Sequence, residues 1–224
     1  MKTNKIAVLC PSRDRVKNVQ ECIKSWELNN SQFSDFFVVC DSDQQTMYEV
    51  FNNLIISPKT GRRGMNDPTN YASKILCKKY KYVMFVGDDH RFRSKDWDTS
   101  FINEYESNIK YGFVYGNDLL QGSNLPTACC VSSDIIELLG YISYPQLLHL
   151  YVDNYWVQLG RRLNKISYLN NIIIEHMHPA AGKAINDQAY EEVNNSYVNN
   201  HDRKVFEEIN FEQELKKLEK LNEI

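Results

Sequence analysis

The 224-residue chain has no apolar run approaching the roughly 20 residues of a membrane span. Its N-terminal run, Ile6-Ala7-Val8-Leu9-Cys10, is too short for the apolar core of a signal peptide and passes straight into Pro11-Ser12-Arg13-Asp14-Arg15. Membrane insertion and secretion are therefore not expected. The six cysteines, at 10, 22, 40, 77, 129 and 130, have neither paired metal-ligand spacing nor the density of a disulfide scaffold. A reducing, cytoplasmic setting fits them. Charge of one sign is also missing: 26 Lys and Arg stand against 29 Asp and Glu, which excludes broad electrostatic coating of nucleic acid but not a local basic groove. There is no internal repeat and no long low-complexity linker.

What is present is an alternation of strand-like and helix-like segments, the pattern of a largely parallel sheet covered by helices. Residues 6–10 read as a first strand, Val16 to Leu28 as an amphipathic helix, and Phe36 to Cys40 as a second strand. A helix from Gln44 to Phe51, a loop from Ser57 to Pro68 and a helix from about Thr69 to Tyr80 lead to a third strand, Tyr82 to Val86. This is a βαβαβ nucleotide-binding topology. Further on, 97–109 reads as helical, 112–116 as a short strand, and 117–127 as a turn-rich loop. Ser132 or Ser133 caps a helix that stops at Gly140. Val152 to Leu163 reads as a helix and Ile166 to Ile174 as a strand. Glu207 to Leu221, with Phe211, Leu215, Leu218 and Leu221 at helical spacing, reads as a helix that serves packing or oligomerisation.

The densest chemistry lies in Val86-Gly87-Asp88-Asp89-His90, two carboxylates at the C-terminal end of a buried strand. Open α/β sheets bind ligands at that edge, and hard divalent cations take oxygen ligands while bridging to phosphates. The alternative is an ordinary Gly-Asp turn. Ser12, Arg13 and Arg15 after the first strand suit a nucleotide phosphate or base, or else a polar cap. Asp41-Ser42-Asp43 after the second strand suits ribose hydroxyls or a base N–H, or again a helix cap. The basic glycine-containing loop from Gly61 to Asn70, with Arg62 and Arg63, suits a diphosphate, against the reading of solvated arginines. His149 to Trp156 supplies a candidate base, and Glu175-His176-Met177-His178-Pro179 a candidate distal metal ligand. Only one of His176 and His178 is expected to reach the site.

In this order, Pro11-Ser12-Arg13, Asp41, the Asn70 helix, Gly87-Asp88-Asp89-His90, Asp153-Asn154-Tyr155-Trp156 and His178, the chain resembles the GT-A nucleotide-sugar glycosyltransferases, particularly family 2, over about residues 4 to 190. The resemblance implies an α/β, GT-A-like (Rossmann-like) fold: a mostly parallel central sheet flanked by helices, forming a domain over 1–195 with a C-terminal helical extension over 196–224. It implies donor contacts from Pro11, Ser12, Arg13, Asp41, Arg63, Asn70 and Asp88. It implies a divalent metal, Mn²⁺ or Mg²⁺, held by Asp89 and His178, with His176 in reserve. The motif is not a literal Asp-x-Asp, so the division of labour between Asp88 and Asp89 is not given by the match.

Asp153 is implied as the base of an inverting transfer from a nucleoside diphosphate sugar, foremost a UDP-sugar, to an acceptor hydroxyl. Trp97, Asn154 and Trp156 are the expected acceptor contacts, although tryptophan more often serves packing. The segments 149–156 and 176–184 are similar to small bacteriophage glycosyltransferases, which implies a hydroxymethylated base in phage DNA as one acceptor. The competing acceptors are a cell-surface glycan precursor, a lipid-linked sugar or a protein, the lipid disfavoured because the chain has no amphipathic basic helix. A nucleotidyltransferase is disfavoured because no glycine-rich phosphate loop follows the first strand. A noncatalytic nucleotide- or carbohydrate-binding protein is the remaining alternative.

Overall fold

The structure is a computed structural model that describes residues 1–58 and 64–223. Arg63, with Gly61 and Arg62, lies outside the described residues. The chain runs β1 (Thr3–Pro11), α1 (Val16–Asn29), β2 (Ser34–Asp41), a single turn α2 (Gln45–Tyr48), β3 (Leu54–Ser57), α3 (Asn66–Leu76), β4 (Tyr80–Phe85) and β5 (His90–Phe92). It continues through α4 (Trp97–Glu104), β6 (Phe113–Asn117), β7 (Cys129–Ser132), α5 (Ser133–Leu139), α6 (Val152–Leu163) and β8 (Ile166–His176). Three helices close it: α7 (Gln188–Val193), α8 (Ser196–Glu207) and α9 (Phe211–Leu218).

Among the described residues the strands form one eight-stranded sheet in the order β3-β2-β1-β4-β7-β6-β8-β5. The block β3-β2-β1-β4 is parallel, as is β6 with β8, while β7 runs antiparallel to both neighbours and β5 antiparallel to β8. Residues Ile6 to Cys10 of β1 are fully buried because helices cover both faces of a central parallel strand. Alternation divides them. Ala7 and Leu9, with Val83 and Phe85, enter a core shared with α3, α5, α6 and α9. Ile6, Val8 and Cys10, with Val38 and Met84, enter a second core shared with α1 and α4.

In-register pairing of Pro11 with Val39 and of Leu9 with Phe85 brings the C-terminal ends of β1, β2 and β4 to one edge of the sheet. The C-terminal helices close the first core. Ile209, Leu218 and Leu221 are buried in it, and Glu214 accepts hydrogen bonds from the hydroxyls of Tyr141 and Tyr155 at 2.6 and 2.7 Å.

Two expectations change here. The helix expected over 44–51 is one short turn, and β3, which follows, extends the parallel block. Trp97, expected at the acceptor, is instead fully buried in the second core. Its ring lies 4.7 Å from that of Phe92 and 5.5 Å from that of Phe101, so it packs α4 under the sheet and presents nothing to a ligand.

Candidate active site

At the sheet edge, the strand ends open into a cavity of about 300 Å³ whose walls include Pro11, Ser12, Arg13, Asp41, Asp88 and Asp89. Ser12 donates to Asp88 Oδ2 at 2.6 Å, while Arg13 Nη1 donates to Asp41 at 3.1 Å and to Asp43 at 2.9 Å. The Asp88 carboxyl is buried beside Asp89, and burial followed by that neighbouring charge pushes it up to about 6 against the pull of Ser12 and Arg15.

The turn after β4 sets the carboxylate pair. Gly87 N–H donates to His90 Nδ1 at 3.1 Å, and a Cβ at Gly87 would lie 2.6 Å from Asp89 Oδ1 and 3.0 Å from His90 Nδ1. The side chains of Asp89 and His90 thus occupy the space beside the Gly87 Cα. β5 then pairs with β8 so that His90 sits opposite His176, their rings stacked 4.3 Å apart. Asp89 lies between them, 3.4 Å from His90 Nδ1 and 3.4 Å from His176 Nε2. One ligand atom from each of Asp89, His90 and His176 falls within 4.8 Å of the other two.

A carboxylate with two imidazoles suits Mn²⁺ and other first-row divalent ions, and the donor set fits a cation at this point. Burial alone would raise the Asp89 carboxyl, yet hydrogen bonding to His176 and His90 and their charge hold it well below the usual range. His90 is pushed down by burial and then by His176. Behind it, His90 Nε2 lies 3.4 Å from Thr127 Oγ1, and Thr127 donates to Asp118 at 2.8 Å. Such a chain orients a ligating ring.

His90 was not among the sequence-derived ligands, although it stands inside the motif. His176 and His178 both line the cavity, against the expectation that only one would. Residues i and i+2 of an extended segment share a face, and the two rings meet edge to face at 4.9 Å. The Nδ1 of His178 accepts from Ala180 N–H at 3.0 Å, whereas His176 stands in the cluster with Asp89.

Across the cavity, Asp153 sits in the first turn of α6, with Asn154 N–H donating to its Oδ1 at 2.9 Å. Burial raises its carboxyl above the usual range. Trp156 also lines the cavity, but its indole N–H donates to Ile142 O at 2.8 Å, which fixes the ring as a wall. Asn154 does not line the cavity. Asn70, expected at the donor, is corrected to a structural role. Its amide donates to Ser143 O at 2.9 Å and accepts from Ile142 and Ser143 N–H at 3.0 and 3.1 Å, tying α3 to the 142–143 turn.

Two further parts complete the wall, His149 from the segment read as supplying a candidate base and α7, which carried no sequence signal. His149 lines the cavity, and its Nδ1 has no hydrogen-bond partner among the described residues. The short helix α7 lies over the opening, contributing Tyr190, and Asp187 before it accepts from Arg15 Nε at 3.0 Å while Arg15 Nη1 reaches Asp88 at 3.3 Å.

No protein-family model matches the sequence, and no curated protein matches it. Solved structures do. S. aureus TarS 1-349 in complex with UDP-GlcNAc superposes with a TM-score of 0.54 at 18% identity, over 84% of this chain and 64% of that one. The mannosyltransferase PcManGT from Pyrobaculum calidifontis, in complex with GDP-Man and Mn²⁺, gives 0.59 at 13% identity, over 80% of this chain and 58% of that one. Glucosyl-3-phosphoglycerate synthase from Mycobacterium tuberculosis, with Mg²⁺ and UDP, gives 0.57 at 13% identity, over 78% and 72%. The chain thus spans less than two thirds of the TarS and PcManGT chains. These neighbours are GT-A glycosyltransferases, and the curled eight-stranded sheet flanked by helices is a GT-A fold.

Proposed function

We propose that this chain is a metal-dependent glycosyltransferase that moves a sugar from a nucleoside diphosphate sugar to an acceptor hydroxyl, with inversion at the anomeric carbon. The observation that carries this reading is the convergence, in one cavity, of the strand-end residues Ser12, Arg13 and Asp41, the Asp89-His176 cluster, and the buried carboxylate of Asp153. Arg13 and Asp41 take the nucleoside, and Asp88 takes the donor sugar. Asp89 and His176, with His90 beside them, hold Mn²⁺ or Mg²⁺. Bound there, the ion neutralises the charge that develops on the departing diphosphate.

Asp153 accepts the proton of the acceptor hydroxyl as that oxygen attacks the anomeric carbon. The bond from this carbon to the diphosphate oxygen breaks, and the nucleoside diphosphate leaves with the bonding pair. Each proton and charge is accounted for without a covalent intermediate. Trp156 supplies a fixed apolar wall that positions the reactants and excludes water.

The test is the thermal midpoint with UDP, GDP, CDP and TDP, each with and without Mn²⁺, on the wild type and Asp89→Ala. A ligand at a hundred times its dissociation constant stabilises by about 2.7 kcal/mol. The expected result is a shift for one nucleotide that needs both Mn²⁺ and Asp89. No shift with any nucleotide would count against the reading and favour a noncatalytic protein. Release of free nucleoside diphosphate from the matching donor then distinguishes transfer from binding. Acceptors tested in that assay are hydroxymethylated DNA and glycan precursors. No observation favours the DNA acceptor.

A further inference from the structure

The imidazoles that line the cavity are placed differently. His90 and His176 belong to the cluster with Asp89. His149 is walled in: its Nδ1 is closed to solvent, and the loop that carries it is clamped from both sides. Asp202, reaching in from α8, accepts the N–H groups of Leu148, His149 and Leu150 at 2.8, 2.8 and 2.7 Å. Opposite, a Cβ at Gly64 would meet Leu148 O at 2.3 Å and His149 Cβ at 2.9 Å. His178 stands apart from all three, because its Nε2 is open to solvent and hydrogen-bonds no described residue.

The hydrogen bonding of the His178 ring decides which nitrogen carries the proton. Nδ1 accepts from Ala180 N–H at 3.0 Å, so its lone pair is in use and the hydrogen of the neutral ring is on Nε2. The ring is also fixed in place. His178 O accepts from Ala181 N–H at 3.0 Å, which makes the residue the cap of the turn Pro179–Ala181, and Lys183 beyond that turn pairs with Glu175 at 2.8 Å. Just before it, Met177 N–H donates to Asp89 O at 2.9 Å, tying the segment to the turn that carries the carboxylates.

Ring positions set what this N–H can meet. The centroid of His178 lies 4.9 Å from that of His176 and 5.0 Å from that of Tyr190 on α7, edge to face with each. It thus stands between the cluster and the helix over the opening. β8, which leads to it, lies on the far side of β4 from β1 and β2, whose ends take the nucleoside. The phosphate nearer β8 is therefore the one that bears the sugar. The arginines of the wall are already engaged, Arg13 with Asp41 and Asp43, Arg15 with Asp88 and Asp187. We infer that His178 is not a metal ligand, and that its Nε2–H donates to an oxygen of the sugar-bearing phosphate of the donor. This rests on the glycosyltransferase reading. A fixed donor at that oxygen stabilises the charge gained as the bond to the anomeric carbon breaks, without reorganising at that moment.

The experiment has two readouts, taken on the wild type, His178→Ala, His178→Gln and His176→Ala. The first is the affinity for Mn²⁺ alone, from loss of the free-ion signal in electron paramagnetic resonance. The second, by calorimetry with saturating Mn²⁺, is the ratio of the dissociation constant of UMP to that of UDP, and of GMP to that of GDP, which isolates the second phosphate. His178→Ala is expected to bind Mn²⁺ as the wild type does, whereas His176→Ala binds it more weakly. For the nucleotide pair that binds best, His178→Ala should lower the monophosphate-to-diphosphate ratio about tenfold, as expected for one lost hydrogen bond to a charged oxygen. His178→Gln keeps an N–H at similar reach and should recover part of that ratio, which a residue that only props the turn would not do. Weaker Mn²⁺ binding by His178→Ala without nucleotide would make His178 a ligand and overturn the inference. Equal loss of monophosphate and diphosphate affinity, or no change in either, would overturn it too. If the wild type binds Mn²⁺ but no nucleotide, the glycosyltransferase reading itself fails and takes the inference with it, a result that owes nothing to the variants.

Discussion

Asp153 and Asp89 face the same cavity, but their surroundings push their proton affinities in opposite directions: burial raises the first, and flanking imidazoles hold the second down. Separation of this kind lets one carboxylate take a proton while another stays charged on a metal. In the folded chain the raised Asp153 is most stabilising when protonated. That contribution is present below the ordinary carboxylate range and lost as pH rises through its raised value. Asp153→Asn should therefore raise the thermal midpoint at pH 7, with the gap closing towards pH 4. It should also cut transfer by about 10²- to 10⁴-fold, the worth of a positioned base. The acid limb of the wild-type kcat/KM profile should lie above the range of a free carboxylate. Titration of released nucleoside diphosphate against pH checks this, and an acid limb at the free-carboxylate value would remove Asp153 as the base.

At the scale of elements, what could be read from sequence was decided by whether an element's packing leaves a periodic apolar trace. The bounds of α6 match those read from its amphipathic pattern, and β1, β2 and β4 stand where short apolar runs placed them. α8 left no such trace. Of its twelve residues the only fully buried one is Asp202, with Val205 and Phe206 packed half-buried against the first core, a face too short to read as a stripe. β5 and β7, three and four residues long, were hidden because their pairing partners lie far along the chain. The site followed the same division. Residues at strand ends were legible because the end of a parallel strand is a place with a rule. Asn70 and Trp97 were misassigned because an amide or an indole reads alike in sequence whether it serves a ligand or the interior. Asp202→Ala removes the acceptor for three N–H groups and is expected to cost about 3 kcal/mol in urea unfolding. It should also lower turnover, because the loop it holds leads into Asp153.

For the whole molecule, the C-terminal helices bear on where the working unit ends. Residues 196–224 read as an extension, yet Asp202 secures the loop beside the cavity, Glu214 binds two tyrosines, and Leu218 and Leu221 fill the same core as α6. A chain ending at 195 is expected to lose its fixed aromatic environments, seen as a collapse of the near-UV circular dichroism while the far-UV signal persists. A native near-UV spectrum for that truncation would show the first 195 residues to be self-sufficient. No helix among the described residues is long and apolar enough to cross a membrane. The six cysteines are all free and buried.

Gly64 has a longer-term consequence. With φ at +80° and a carbonyl where its side chain would be, it joins two segments more than eighty positions apart in the chain. A lineage cannot reroute the main chain at this crossing without losing the contact, so change near the cavity is left to side chains while the path of the backbone is inherited.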